Sequence, residues 1–183
     1  MSRRLVVVPA VVAALLAIVL AVVRSEPVWL DRLHYPLRYE AIVTAHARTY
    51  DLDPALLAAV IYTESRFRAD ARSSAGALGL MQLLPETGKA IAVRTGGDRF
   101  VVDDLLDPEI NVRYGSWYLR ELMRKYESLP TALAAYHAGQ GNVDRWRERG
   151  VGIQFPETRA YVDDVLRVVP VYRRAYRDEL HDL

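Results

Sequence analysis

The sequence predicts a mainly α-helical, single globular domain preceded by an N-terminal transmembrane helix. Three observations carry this. Beyond residue 37, apolar residues recur at three- and four-residue spacing, and no stretch reads as a convincing sheet strand. Asp53-Pro54 joins an N-cap residue to a first-turn proline, and Asp107-Pro108 repeats the signal. Near the start, Leu5 to Val23 is an uncharged apolar run, long enough at ~1.5 Å per residue to cross a hydrocarbon core.

Taken in order, Met1 to Arg4 is short and basic, and Arg3 and Arg4 favour a cytoplasmic N-terminus. A cleaved signal peptide is the rival of an anchor over residues 1–24. Ala21-Val22-Val23-Arg24-Ser25 makes a poor cleavage site, so an uncleaved anchor is expected, with a secreted form as the alternative. No cysteine follows, which excludes a lipoprotein. Residues 25–36 read as a tether, interrupted by Pro27 and Pro36; Trp29 and Tyr35 are placed either at the membrane interface or against the domain.

Residues 37–183 form the domain. A helix around Ile42 and Val43 ends near Tyr50. The next runs from Pro54 to about Arg66, with Leu57, Val60 and Ile61 on one face. Phe67 to Leu78 has no clean period. Pro85-Glu86 opens a helix that Gly96-Gly97 stops. From Asp107-Pro108-Glu109, an apolar stripe of Ile110, Tyr114, Trp117 and Tyr118 reads as core and reaches about Tyr126. Pro130 starts a short helix to Tyr136, which Gly139 ends. Asn142 to Arg149 is another, with Trp146 inward. Glu157 to Val169 is the last clear helix, and Pro170 is expected to kink or break it. Arg173, Arg174 and Arg177-Asp178-Glu179 look like a solvated end.

The chain has 183 residues, 51% of them hydrophobic, so disorder is not expected. A net charge of +1, with basic and acidic residues interspersed, argues against nucleic acid as a partner. With no cysteine, and with His34, His46, His137 and His181 at no shared ligand spacing, neither a metal nor any other cofactor is expected.

Glu64 is the residue that invites chemistry. It lies four residues after Val60 and seven after Leu57, so it continues the buried face of its helix. Lost solvation there raises a carboxyl pKa, and the nearby helix C-terminus disfavours its anion. Both favour a protonated acid near neutral pH, as general acid catalysis needs. The segment alone leaves open a surface glutamate paired with Arg66 or Arg68.

The residues downstream of Glu64 narrow the choice. Glu64-Ser65 with Phe67, Ser73, and Gly76-Ala77-Leu78-Gly79-Leu80-Met81-Gln82 resembles the catalytic core of soluble lytic transglycosylases, relatives of goose-type lysozyme. Asn111-Val112 with Gly115 and Tyr118-Leu119, then Ala135-Tyr136-His137-Ala138-Gly139, then Glu157-Thr158 with Tyr161-Val162 come in that family's order. The resemblance covers roughly residues 40 to 175.

It implies a lysozyme-like fold of the SLT type and cleavage of the bond between N-acetylmuramic acid and N-acetylglucosamine in peptidoglycan. Glycosidic cleavage normally uses two carboxylates, yet Asp70, Asp98, Asp103 and Asp104 occupy no matched motif position. The resemblance implies Glu64 alone as acid and then base, with 1,6-anhydromuropeptides as products.

The remaining roles come from matched positions. Ser73 is expected to donate a hydrogen bond to substrate, although a turn serine fits its chemistry equally well. Gly76 and Gly79 permit tight turns. Met81 and Gln82 are expected to line sugar subsites, and Tyr136 to hydrogen-bond near Glu64. Glu157 and Tyr161, at i and i+4, are assigned to binding or to the cleft wall. One position departs: the family's third motif usually reads Ala-Tyr-Asn-Ala-Gly, and His137 replaces that Asn. Imidazole both donates and accepts, and can add pH dependence.

Two other readings fit the same residues: a goose-type hydrolase activity, and a non-catalytic glycan-binding scaffold of an envelope assembly. The expected location is the bacterial inner membrane, single-pass, with the domain periplasmic. The expected partners are glycan strands, the membrane and an envelope protein complex.

Overall fold

The computed structural model describes residues 12–17 and 27–180. The chain divides into two compact units, Met1–Pro36 and Leu37–Leu183.

In the first unit, residues 12–17 are helical, and the rest of the run expected to span the membrane lies outside the described residues. Among the described residues, no helix is long and apolar enough to cross a membrane. The expected tether is not irregular throughout. Val28–His34 is a helix that starts directly after Pro27, where a proline's missing N–H is no loss. It buries no residue, and Trp29 (62%) and Leu33 (70%) stand exposed one turn apart.

The second unit is built from helices α1 (Glu40–Thr49), α2 (Pro54–Ser65), α3 (Pro85–Thr95), α4 (Pro108–Lys125), α5 (Leu129–Ala138), α6 (Gln140–Glu148), α7 (Pro156–Ala175) and α8 (Arg177–Leu180), with a 3-10 turn at Val102–Leu106. Among the described residues, β pairing is limited to isolated bridges, Arg72 with Leu78 and Leu78 with Leu83. The mainly helical class expected from the sequence is the one observed.

Helix α2 is the centre of the domain. Asp53 caps it, its side chain accepting from the Ala55 N–H at 2.8 Å, and Pro54 occupies the first turn. Every residue from Ala55 to Tyr62 is buried, so the helix is covered on all sides rather than along the one face its spacing suggested. It packs chiefly along α7, with α1 beside it. Each fully buried Leu, Ile or Val contributes about 1.5–3 kcal/mol, so this helix is a large share of the core.

Helix α7 does not break at Pro170. It continues to Ala175, with the proline on its exposed side. An interior proline costs ~3 kcal/mol. Opposing that cost, the last turns bury Tyr172 and Ala175, and Tyr172 packs on Tyr62, Phe67 and Tyr176. At the C-terminal end Arg173, Arg174, Arg177 and Asp178 are exposed, as expected of a solvated end, but the residues between and after them anchor it. Arg173 pairs with Asp53, the Tyr176 hydroxyl accepts from the Leu37 N–H at 3.0 Å, and Leu180 is buried.

Between α2 and α3 the chain is irregular, and Asn111 of α4 holds it. This fully buried side chain accepts from the Met81 N–H at 2.7 Å and donates to the carbonyls of Leu78 (2.9 Å) and Leu105 (2.7 Å). Gly79 is required beside it. Its φ is +77°, and a Cβ would lie 2.1 Å from the Leu105 carbonyl oxygen. Gly115 lets α4 approach just as closely, since a Cβ there would sit 2.3 Å from the Met81 sulfur.

Candidate active site

A cleft of about 440 Å³ opens over the C-terminal end of α2. The loop contributes Ser73, Ala77 and Gln82 to its walls, α4 contributes Tyr118, and α5 contributes Tyr136 and His137. Glu64 is the one carboxylate among the lining residues.

The last turn of α2 places Glu64 at the cleft floor. Behind it the chain turns sharply: Arg66 (φ 51°) and Phe67 (φ 59°) are both left-handed, an uncommon pair for non-glycine residues. Burial of Phe67 against Tyr172 holds that turn. Neither arginine considered as a partner pairs with Glu64. Arg66 donates to the Tyr62 hydroxyl at 2.5 Å, and the Arg68 Nε donates to the Ser65 carbonyl at 3.2 Å.

Desolvation by the surrounding protein raises the Glu64 pKa from 4.5 to about 7. The opposing influence is the Tyr161 hydroxyl, which faces the carboxyl from α7 and favours its anion. In the resting geometry this buried hydroxyl completes no hydrogen bond. Catalytic hydrogen bonds are often long before substrate is bound. The phenols of Tyr136 and Tyr161 are both raised well above their usual pKa, first by burial and then by the Glu64 charge. Both hydroxyls therefore stay neutral, and that of Tyr161 is uncommitted as a donor.

Ser73 is exposed at the cleft rim. Its Oγ accepts from the Ala77 N–H at 3.0 Å, so it closes its own turn while its O–H stays available as a donor. Gln82 (φ 48°) spends its amide donors on the carbonyls of Gly79 (2.8 Å) and Ala71 (3.2 Å), which leaves its carbonyl oxygen as an acceptor. Its place in the cleft wall is thus fixed from behind.

Met81 differs from expectation. Its side chain is fully buried against Gly115 and is absent from the cleft wall, because Asn111 draws its backbone inward. Tyr136 lies near Glu64. It borders the cleft, but its hydroxyl donates to the Met81 carbonyl at 2.8 Å rather than to Glu64. Glu157 is exposed and outside the cleft wall, close enough to His137 to favour its protonated form. His137 lines the cleft, stacks on Tyr161 at 4.6 Å, and shares a 3.1 Å hydrogen bond between its Nδ1 and Thr158 Oγ1. Burial lowers its pKa.

Several residues take parts that the sequence reading did not give them. Tyr118, read as core, lines the cleft and packs on Tyr136 at 5.5 Å. Thr87 lines it too, with no signal beyond its place in the first turn of α3. Thr158 and Asn111 are fully buried polar residues within recognised motifs, and their hydrogen bonds give them meaning only in three dimensions. A second cavity of about 280 Å³ adjoins the cleft through Thr87 and Tyr118, with Trp117 and Arg94 in its wall. Among the described residues, no group of three or more His, Asp or Glu side chains is placed to hold a metal ion.

A helical domain holding one desolvated glutamate in an open cleft, ringed by hydroxyl, amide and aromatic groups, belongs to the lysozyme-like class. The transglycosylase SLT domain model matches residues 41–152, and the chain belongs to that family. The chain is 32% identical over 151 residues to the soluble lytic murein transglycosylase of Salmonella typhimurium, covering 76% of this chain and 23% of that protein. It is 41% identical over 101 residues to a transglycosylase of the enterobacterial phage PRD1, covering 55% of this chain and 34% of the relative. An inactive glutamate-to-glutamine mutant of the lytic transglycosylase Slt from Pseudomonas aeruginosa superposes with a TM-score of 0.73 at 30% identity, over 80% of this chain and 25% of that one. The chain therefore spans about a quarter to a third of the length of the curated relatives it matches.

Proposed function

We propose that this chain is a peptidoglycan lytic transglycosylase in which Glu64 acts alone, first as acid and then as base. The observation that carries this reading is the single carboxyl of the cleft, held with a pKa of about 7. A conventional glycosidase needs a second carboxylate across the cleft, and the lining supplies none.

Protonated Glu64 donates to the oxygen between N-acetylmuramic acid and N-acetylglucosamine, and the bond from that oxygen to the muramyl C1 breaks. The muramyl N-acetyl oxygen stabilises the cationic carbon. The Glu64 carboxylate then takes the proton of the C6 hydroxyl as that oxygen closes on C1. A 1,6-anhydro ring results and no water is consumed. Ser73 and the Gln82 carbonyl oxygen offer a donor and an acceptor to the sugars, and Tyr118 offers an aromatic face. That a structural relative was made inactive by exchanging one glutamate for glutamine supports an essential glutamate.

The same reading extends to location. Leu5 to Val23 is uncharged and apolar, and Arg3 and Arg4 precede it. Crossing the inner membrane once, this run would hold the domain in the periplasm, close to nascent glycan or within an envelope complex.

The test is mass spectrometry of muropeptides released from purified murein by the full chain in detergent, with Glu64→Gln alongside. The expected products are lighter than hydrolytic ones by one water and are absent with the mutant. Reducing-end products would make the chain a hydrolase instead. Binding without release by either protein would make it a scaffold.

A further inference from the structure

We infer that His137 is a positioning residue, which holds the Tyr161 hydroxyl against the Glu64 carboxyl. The inference rests on the reading of Glu64 as the lone acid and concerns the one motif position where this chain departs from its family's usual Asn.

Three contacts define the arrangement. Thr158, fully buried in the first turn of α7, fixes the imidazole through Oγ1 to Nδ1 at 3.1 Å. The imidazole then lies over the Tyr161 ring, centroids 4.6 Å apart and planes 28° from parallel. Thr158 and Tyr161 are three residues apart on α7, so one side of that helix presents both to the ring. The Tyr161 hydroxyl, buried and otherwise without a hydrogen-bond partner, is directed at Glu64. A planar ring can confine a phenol from one side, which an asparagine amide cannot do over the same area.

The consequence falls on the second half of the reaction. Once Glu64 has given up its proton, its carboxylate sits in a poorly solvated place, and the Tyr161 O–H is the donor that meets it. A phenol free to swing away would leave that charge less stabilised and the barrier higher. Groups that titrate near this array are few. Glu157 and Tyr161 face His137 from α7, while Tyr136 of α5 and Tyr161 face Glu64. Burial keeps His137 neutral near pH 7, so its service here is shape and not charge.

The experiment compares wild type with His137→Ala, His137→Phe, Tyr161→Phe and the double variant His137→Ala/Tyr161→Phe. Two readouts are used: the pH dependence of kcat and KM for anhydromuropeptide release, and the Glu64 carboxyl titration followed by 13C NMR. Removing the Tyr161 hydroxyl from beside Glu64, where it favours the anion, should raise the Glu64 titration by about half to one pH unit and lower kcat by about 10-fold, with KM little changed. His137→Ala should match Tyr161→Phe in both respects, and the double variant should be no worse than either. His137→Phe keeps a stacking ring and should restore most of the loss. An unmoved Glu64 titration in His137→Ala, a change confined to KM, or additive effects in the double variant would each overturn the assignment. The NMR readout needs no turnover. If no anhydro product forms at all, the transglycosylase function fails, while the positioning of Tyr161 is still decided.

Discussion

Replacing Glu64 by Gln should stabilise the folded protein, and the gain should grow with pH. Burial lifts the folded carboxyl from 4.5 to about 7. Between those values the unfolded chain releases a proton that the folded chain retains. Folding stability therefore falls as pH rises through this window and levels off above it. The gap converts to roughly 3 kcal/mol if no water reaches the anion. Glu64 is in contact with cleft solvent, so roughly 1–3 kcal/mol is expected at pH 8, and close to none at pH 4.5, where Gln mimics the neutral acid. A domain of this size moves its Tm by about 2–4 °C per kcal/mol, which makes the expected rise several degrees. The assay is thermal unfolding of both proteins by circular dichroism from pH 4.5 to 8.5. A difference that does not vary with pH, or a mutant less stable at pH 8, would refute the account of a desolvated Glu64.

The remaining predictions concern activity and the loop. Since Glu64 must enter the reaction protonated, kcat/KM for murein should fall tenfold per pH unit above about 7, measured by release of soluble muropeptides; a plateau extending to pH 9 would remove Glu64 as the acid. Asn111→Ala strips three hydrogen bonds and leaves the Met81 N–H and the Leu105 carbonyl buried without partners, while the Leu78 carbonyl keeps only its bond from the Leu83 N–H. It should cost about 3 kcal/mol or more in urea unfolding, with loss of activity because Gln82 loses its support. Trp117→Ala should raise KM for long glycan strands several-fold while leaving short fragments unaffected, if strands extend over the cavity beside the cleft. Equal effects on both substrates would confine binding to the main cleft.

What could be read from the sequence was what the chain decides locally. Asp53-Pro54 and Asp107-Pro108 start helices because caps need only neighbouring atoms, and both appear at the expected residues. Glu64 was legible from its spacing, since a position four residues from a buried valine shares its surroundings. Pro170 misled for the same reason: its local cost is real, but the packing of Tyr172 on distant Tyr62 outweighs it. Met81 read as a sugar contact because its motif neighbours are in the cleft wall. Only the side chain of Asn111, thirty residues away, shows that the backbone there turns inward. Tyr118 could not be told from a core tyrosine, because a cleft wall and a core both ask for an aromatic every third or fourth residue.

The Asn111 clamp divides the segment after α2 into parts with different tolerance for change. Leu78 to Leu83 is tied to α4 and buried almost throughout, so an insertion or deletion there would displace Gln82 and the floor of the cleft together. Ser73 to Ala75 are exposed, between the Arg72–Leu78 bridge and Gly76, whose φ of +84° keeps that position a glycine. Laboratory diversification should therefore be confined to side chains at that tip: it lines the cleft through Ser73 and Ala75, yet its residues are not part of the Asn111 clamp.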